Sequence, residues 1–561
     1  MREQREMNKA YNIVWSHARQ VWIVASELTR SCGRPALARK SLLSAMVLHS
    51  IVGGQTAHAN QNAFSSQIIS GSVVGNGVMQ SITSDWHAID TTITSGGVQQ
   101  VDGGLATSTT IDGGYQYISA GGSATQTTIH TGIQKIFSSG SATQTTINGG
   151  IQHISAGGSA TQTTINDSGA QFISNGGSAT STTLNDGRQT VIGGGSVAQT
   201  TINSGGLQNV YAGASATQTT VNGGGQQNVY GGSVTDTTLN GGGSSVTSQI
   251  IYSGGSATLT TVNSGGGQVI NEGGMATDTT INSVGYQYVS SGGSANSTTV
   301  NNSGHQYVYG GSAVNTTVNS DGFQFVDSSG SATFTTVNNG GHQHVYDGSA
   351  TNTTVNNGGE QIIYSGGSVT DTTVNSGAQY ISSGGSATQT TINNGGQQNV
   401  FAGGSATLTT VNSGGLQNVS SGGAVTDTTV NGGTQYISSG GSATQTTINN
   451  GGQQNVFAGG SATRTIVNNG GLQNVSSGGS VTGTTVNNGG HQYVYDGGTT
   501  TDTVINTGGT TWLYDGAILA DDSATVNGTL VIDTQSSRSL SGDLTGSGTL
   551  LKTGGGAPHT Q

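Results

Sequence analysis

Side-chain catalysis needs titratable groups held close together, and this chain is poor in them: only 7% of its residues are charged. Asp236, Asp278, Asp371, Asp427 and Asp502 share one position of an internal repeat but seldom fall in neighbouring copies. Asp521-Asp522 is the tightest acidic pair and reads as a solvated turn. Breaking a polysaccharide takes clustered carboxylates, often with a Lys or Arg to stabilise developing charge. Beyond residue 60, no two basic residues fall in neighbouring copies. His342-Gln343-His344 sets two imidazoles on one strand face, without a third ligand nearby to complete a metal site. The Gly-rich corners precede strands, not a helix, so they make no phosphate loop. They also lack the repeated aspartate of calcium-binding nonapeptides. The expectation is a non-enzyme with no catalytic residue, cofactor or metal.

Two uncharged polar residues recur with more regularity than any charged one. Asn follows the aliphatic residue of nearly every repeat, as at Asn166, Asn282, Asn393 and Asn449. Gln opens the third extended piece, as at Gln116, Gln208, Gln324, Gln398 and Gln454. Amides at one position of successive stacked units can hydrogen-bond up and down the stack as ladders. The expected role of both is to hold the stack together, not to bind a ligand.

The element that positions them is the repeat. Gly384 to Ala402 reads GGSATQTTINNGGQQNVFA and returns unchanged from Gly440 to Ala458. Degenerate copies run from Ile93 to Ile505, mostly at a spacing of 18 or 19 residues, which makes 23 units. In each unit, Gly-rich corners separate three short extended pieces; here they are Ser386-Ala387-Thr388, Thr390-Thr391-Ile392 and Gln398-Asn399-Val400. Ala387 and Ile392 are five apart, which strict alternation cannot place on one face, so a bend is expected near Gln389. Proline occurs only at Pro35 and Pro558, as a hydrogen-bonded strand stack requires. No single unit can bury a core, whereas stacked units bury continuous aliphatic files. The fold class is therefore all-β, a parallel β-helix or solenoid of about 23 rungs, roughly 110 Å long at the usual strand spacing. From Gly241 to Gln249 four extra residues should bulge at a corner. The position after Ser-Ala-Thr varies freely (Gln126, Asp236, Leu259, Phe334, Arg464), as does the residue before the Gln (Tyr115, Ile133, His305, Glu360, Leu416). Such tolerance marks an outer surface and places partner recognition there.

The ends differ from the repeats. Arg34, Arg39 and Lys40 precede a short apolar run from Leu42 to Val52, then Ala57-His58-Ala59. This is the layout of a secretory signal cut between Ala59 and Asn60, too short to span a bilayer. Of the 13 Lys and Arg, eight lie before Asn60; beyond it 22 acids face five bases, a net of −17. That balance argues against nucleic acid, which requires a cationic stripe. The organisation expected is a signal over 1–59, a lead-in over 60–90, repeats over 91–509, a β cap over 510–556 and an aberrant tail over 557–561. The strongly apolar segments Trp512-Leu513-Tyr514, Thr529-Leu530-Val531-Ile532 and Thr549-Leu550-Leu551 would close the last open edge.

Met7 to Arg30, with Met7-Asn8-Lys9, Val14-Trp15, Trp22 and Ser26-Glu27-Leu28, resembles the extended signal-peptide region of large Gram-negative autotransporters. Units of the form GGSATxTTVNSGGxQxVxS resemble the passenger repeats of AIDA-type autotransporter adhesins. The resemblance implies a right-handed β-helical passenger carried by the export machinery to the outer membrane. It also implies attachment to host-cell receptors or glycans, self-association, biofilm growth, and heptose placed on repeat Ser and Thr by a heptosyltransferase. Leu540 to Gly556 resembles the passage toward that family's translocator, but the chain ends at Gln561 without a barrel. The expectation from that ending is a truncated or frameshifted product, or a barrel encoded separately; the location is the outer membrane or cell surface for the intact family and the periplasm for a truncated form. The competing readings are a polysaccharide-binding or polysaccharide-degrading β-helix and, from the Thr-x-Thr pairs such as Thr388-Gln389-Thr390, an ice-binding solenoid.

Overall fold

A computed structural model describes residues 11–16, 21–26, 67–242, 246–520, 523–540, 542–555 and 558–560. The chain forms two units, Met1–Gln61 and Asn62–Gln561. In the first, strands Tyr11–Ser16 and Val21–Ser26 pair antiparallel with Trp15 opposite Trp22. The cleavage residues Ala57, Ala59 and Asn60 lie outside the described residues, as do Ala557 and Gln561 of the tail.

The second unit is a parallel β-solenoid of about 25 turns, slightly more than the repeat count implies. One turn comprises strands Ser386–Thr388, Thr391–Ile392 and Gln397–Val400. Each pairs in parallel with its equivalent one turn on, so Ala387 faces Ala406, Ile392 faces Val411 and Gln398 faces Gln417. The extra turns come from both ends. Gln67–Ser70 already pairs with Trp86–Ile89, so the stack begins inside the segment expected as a lead-in. Thr510–Tyr514 pairs back to His491–Val494 and on to Thr529–Asp533, which pairs with Thr549–Thr553. The segment expected as a separate cap thus continues the same turns. Strand pairing needs inward apolar residues at the right register rather than the Ser-Ala-Thr wording, and Leu513 and Leu530 supply them at 0% and 1% exposure.

The core is two apolar files with a polar seam. Ala of the first strand packs with the aliphatic residue of the third, as in the continuous cluster that includes Ile118, Ala124, Ile136 and Ala142. The aliphatic residue of the second strand forms its own file, from Val74 through Ile93 to Val318. Burying one such Ile or Val fully is worth about 1.5–3 kcal/mol, small for a turn but summed over the stack. The bend expected near Gln389 sits on that residue, whose φ is +57°. The equivalent residue of other turns is left-handed too: Gln126, Asp236, Leu259, Phe334 and Arg464 lie between +55° and +57°. This kink turns the first strand into the second and brings Ala387 and Ile392 into the same interior.

Candidate interaction surface

What faces inward and what faces outward separates the invariant letters from the varied ones. Gln398 lies in the third strand at 0% exposure, and its Nε2 donates to Gln379 Oε1 at 2.7 Å. Its own Oε1 accepts from Gln417 Nε2 at 2.7 Å and from Thr409 Oγ1 at 3.3 Å. The same link joins Gln116 to Gln99, Gln208 to Gln189, Gln324 to Gln306 and Gln454 to Gln435. This amide file continues to Gln492, where Thr511 Oγ1 donates to the final Oε1. The seam is costly to bury unless its groups are paired, and the stacking pairs its amides, while Thr127 and Thr145 leave a buried Oγ1 without a partner.

A second amide file runs along the corner after the second strand and is only partly buried. Asn166 donates to Asn148, Asn282 to Asn263, Asn393 to Asn375 and Asn449 to Asn431, at 2.7 to 3.1 Å. Both files cross the insertion unbroken. Asn263 reaches Asn240 and Gln249 reaches Gln227 over 23 and 22 residues instead of 18 or 19. The extra residues are therefore accommodated between the second and third strands, and residues 243–245 there lie outside the described residues.

The Thr-x-Thr pairs do not form one exposed array. Thr388 is half-buried on the outside, whereas Thr390 is 1% exposed and donates to Gln379 Oε1 at 3.2 Å. The left-handed residue between them sends the two threonines to opposite sides. An ice-binding face built on both is thereby lost.

Two outward features remain. The first is the left-handed column itself, where Leu259, Phe334 and Leu408 are 53%, 54% and 52% exposed. From Ser108 to Asp502 it holds Gln, Ser, Asp, Asn, Leu, Phe, Arg and Gly, and no Val, Ile or Thr. The second was not foreseen from the repeat. On the outer side of the third strands, Tyr286, His305, Phe323 and His342 form one column and Tyr288, Tyr307, Phe325 and His344 another. Tyr288 stacks on Tyr307 at 4.6 Å, Tyr307 on Phe325 at 5.2 Å and Phe323 on His342 at 4.8 Å. Within one turn, His305, Tyr307 and Tyr309 are parallel within 12° at 5.8 Å spacings. Tyr346 on Tyr364 at 4.4 Å extends the strip to a fifth turn. The signal lay in consecutive repeats reading YQYVS, HQYVY, FQFVD and HQHVY, visible only when aligned in register.

Burial, reinforced by a hydrogen bond with Tyr364, pushes the Tyr346 hydroxyl up to about 12. Burial among the rings holds His344 below the usual histidine range; neighbouring His342 adds to this and Glu360 opposes it. The His342–His344 pair places His342 Nδ1 3.1 Å from Glu360 Oε2. Among the described residues, no group of three or more His, Cys, Asp or Glu gathers to hold a metal. Asp521 and Asp522 lie outside them.

Comparison with known proteins bears on both units. Residues 7–54 match the family described as Extended Signal Peptide of Type V secretion system. Residues 247–304, 342–396, 376–434 and 431–490 match the family described as Adhesin of bacterial autotransporter system, probable stalk. The chain is 45% identical over 78 residues to the autotransporter adhesin AIDA-I of Escherichia coli, covering 14% of this chain and 6% of that protein. It is 40% identical over 99 residues to the autotransporter CRAC of Citrobacter rodentium (strain ICC168), covering 17% of this chain and 6% of that one. The chain thus spans a small fraction of either relative's length. The solved TibC-catalyzed hyper-glycosylated TibA fragment shares 42% identity, over 59% of this chain and 97% of the fragment; the TM-score is 0.37, so the likeness lies in the sequence. With an extended type V leader ahead of a stalk of these repeats, the chain belongs to the AIDA-type autotransporter passengers.

Proposed function

We propose that the exported solenoid is an adhesive passenger that attaches cells to one another or to a host surface. The observation that carries this reading is the division of the repeat. Residues that hold the rod are buried and repeated, while those that vary from turn to turn are exposed along its length. Adhesion then works by avidity, many weak polar contacts along a surface with few charges to oppose close approach. Signal cleavage between Ala59 and Asn60 releases this unit for display at the outer membrane. No step of this reading calls for catalysis, in keeping with the adhesin relatives.

Outward hydroxyls supply acceptors for a glycosyltransferase, in line with the hyper-glycosylated relative. Ser386, Thr388 and Thr391 are partly exposed in their turn, whereas Thr390 is buried and bonded to the amide file. Glycan added to the folded rod therefore falls on the first set of columns and spares the Thr390 column, which peptide mapping of the modified protein would read directly. The direct test of adhesion is to display the passenger on a heterologous barrel. Clumping or attachment is expected; cells that neither clump nor bind any surface would contradict the reading.

A further inference from the structure

The aromatic strip from Tyr286 to Tyr364 asks for a ligand of its own. A pyranose stacks on a free ring face, but here successive rings overlap at 4.6 to 5.2 Å along the rod, so neighbouring rings already occupy most faces. What the strip offers instead is parallel columns of ring edges and hydroxyls repeating at the parallel-strand spacing, about 4.8 Å. The arrangement repeats the side-chain ladders on the surface of a cross-β fibril, although one chain makes it. Adjacent columns run along the rod with ring centroids 5.8 Å apart within a turn. A molecule lying along them must be long, flat and apolar enough to touch several rings at once.

Charge selects further. Asp327 lies in the strip on the strand Phe323–Asp327, and Glu360 stands in register with His342. The bases of the solenoid, Lys135, Arg188, Arg464, Arg538 and Lys552, are all remote from this stretch in sequence by five or more turns. A flat cation is favoured over a flat anion of the same shape. The strip's five turns accommodate a molecule of about 15 Å, which spans about three strand spacings. The shorter cluster of Tyr493, Tyr495, Trp512 and Tyr514 comprises two turns.

We propose that the strip from Tyr286 to Tyr364 is a binding site for elongated planar aromatic cations, which lie along the rod across successive side-chain columns. Thioflavin T is the probe, titrated by fluorescence into the purified folded chain at neutral pH. Saturable enhancement is expected. The triple variant Tyr307→Asn, Phe325→Asn, His344→Asn strips one column of all its rings but Tyr288. Asn399, Asn418, Asn455 and Asn474 already occupy that column in other turns, so the fold tolerates the change. It should weaken binding about tenfold or more, since stacked aromatic contacts carry the affinity. Tyr493→Asn with Tyr495→Asn should leave binding unchanged, and Asp327→Asn with Glu360→Gln should weaken it by a few fold. Absence of saturable binding to the parent chain would overturn the proposal, as would full affinity in the triple variant. So would equally tight binding of an anionic dye of the same length. Should the triple variant lose its far-UV circular dichroism, Phe325→Asn alone decides in the same way.

Discussion

Gln389 shows that a varied residue can still be constrained. Its φ of +57° costs a non-glycine residue about 1–2 kcal/mol, and branching at Cβ makes the conformation worse. Gln389→Val should therefore destabilise the chain by about 1–2 kcal/mol in denaturant unfolding, and Gln389→Gly should leave it unchanged or slightly more stable. The only β-branched residue with positive φ among the described residues is Val284, at a different corner. Gln398 is the opposite case. Gln398→Leu keeps the volume but leaves Gln417 Nε2 and Thr409 Oγ1 without their acceptor, at about 1–3 kcal/mol for each buried group. Hydrogen exchange should quicken first in the turns on either side. His344 gives a pH dependence. Its folded value is lowered, so the unfolded chain binds more protons as pH falls below the ordinary histidine range, and this residue's contribution to stability diminishes there. Amide protection around Tyr346, taken relative to the intrinsic exchange rate at each pH, should fall on acidification from neutral pH through the lowered value. His344→Asn should flatten that fall.

At the scale of the turn, corners and files work together. Gly414 has φ +74°, and a Cβ there would fall 2.2 Å from Asn394 Oδ1 of the preceding turn. Gly414→Ala should cost about 1 kcal/mol or more from backbone strain alone, with the clash added, and shows as a lower unfolding midpoint. Much at this level was legible in the sequence. The spacing of Ala387 and Ile392 required a kink, and the kink is on Gln389. The recurrence of Gln and Asn was visible too, but their unequal burial was not, because it depends on which strand turns each side chain inward. Nor did the wording of the repeat reveal that Thr510–Tyr514 and Thr529–Asp533 continue the stack. Pairing follows register and inward apolarity, and those survive when the familiar letters are replaced. The aromatic strip was hidden for a related reason: its columns form only across turns, between residues 18 or 19 apart in the chain.

For the molecule as a whole, the two files give the stack a direction. The amides from Gln99 to Gln492 donate toward the preceding turn, and so do the Asn links from Asn166 to Asn506. Such aligned chains polarise one another and rigidify a rod whose single turns could not fold alone. Rigidity is what lets weak contacts on separate turns act together, so adhesion should depend on the number of turns presenting the outer columns rather than on one residue. The decisive measurement replaces the outward left-handed residues Gln126, Gln144, Gln162, Gln199, Gln218, Leu259, Phe334, Gln389, Leu408, Gln445 and Arg464 by Ser, a residue this column already accepts at Ser181 and Ser297, together with Tyr115, Ile133, His305, Glu360 and Leu416. Clumping and surface attachment of cells displaying the passenger are then scored beside its circular dichroism. Lost adhesion with an unchanged β spectrum is the result predicted. Full adhesion from the substituted rod would contradict the account.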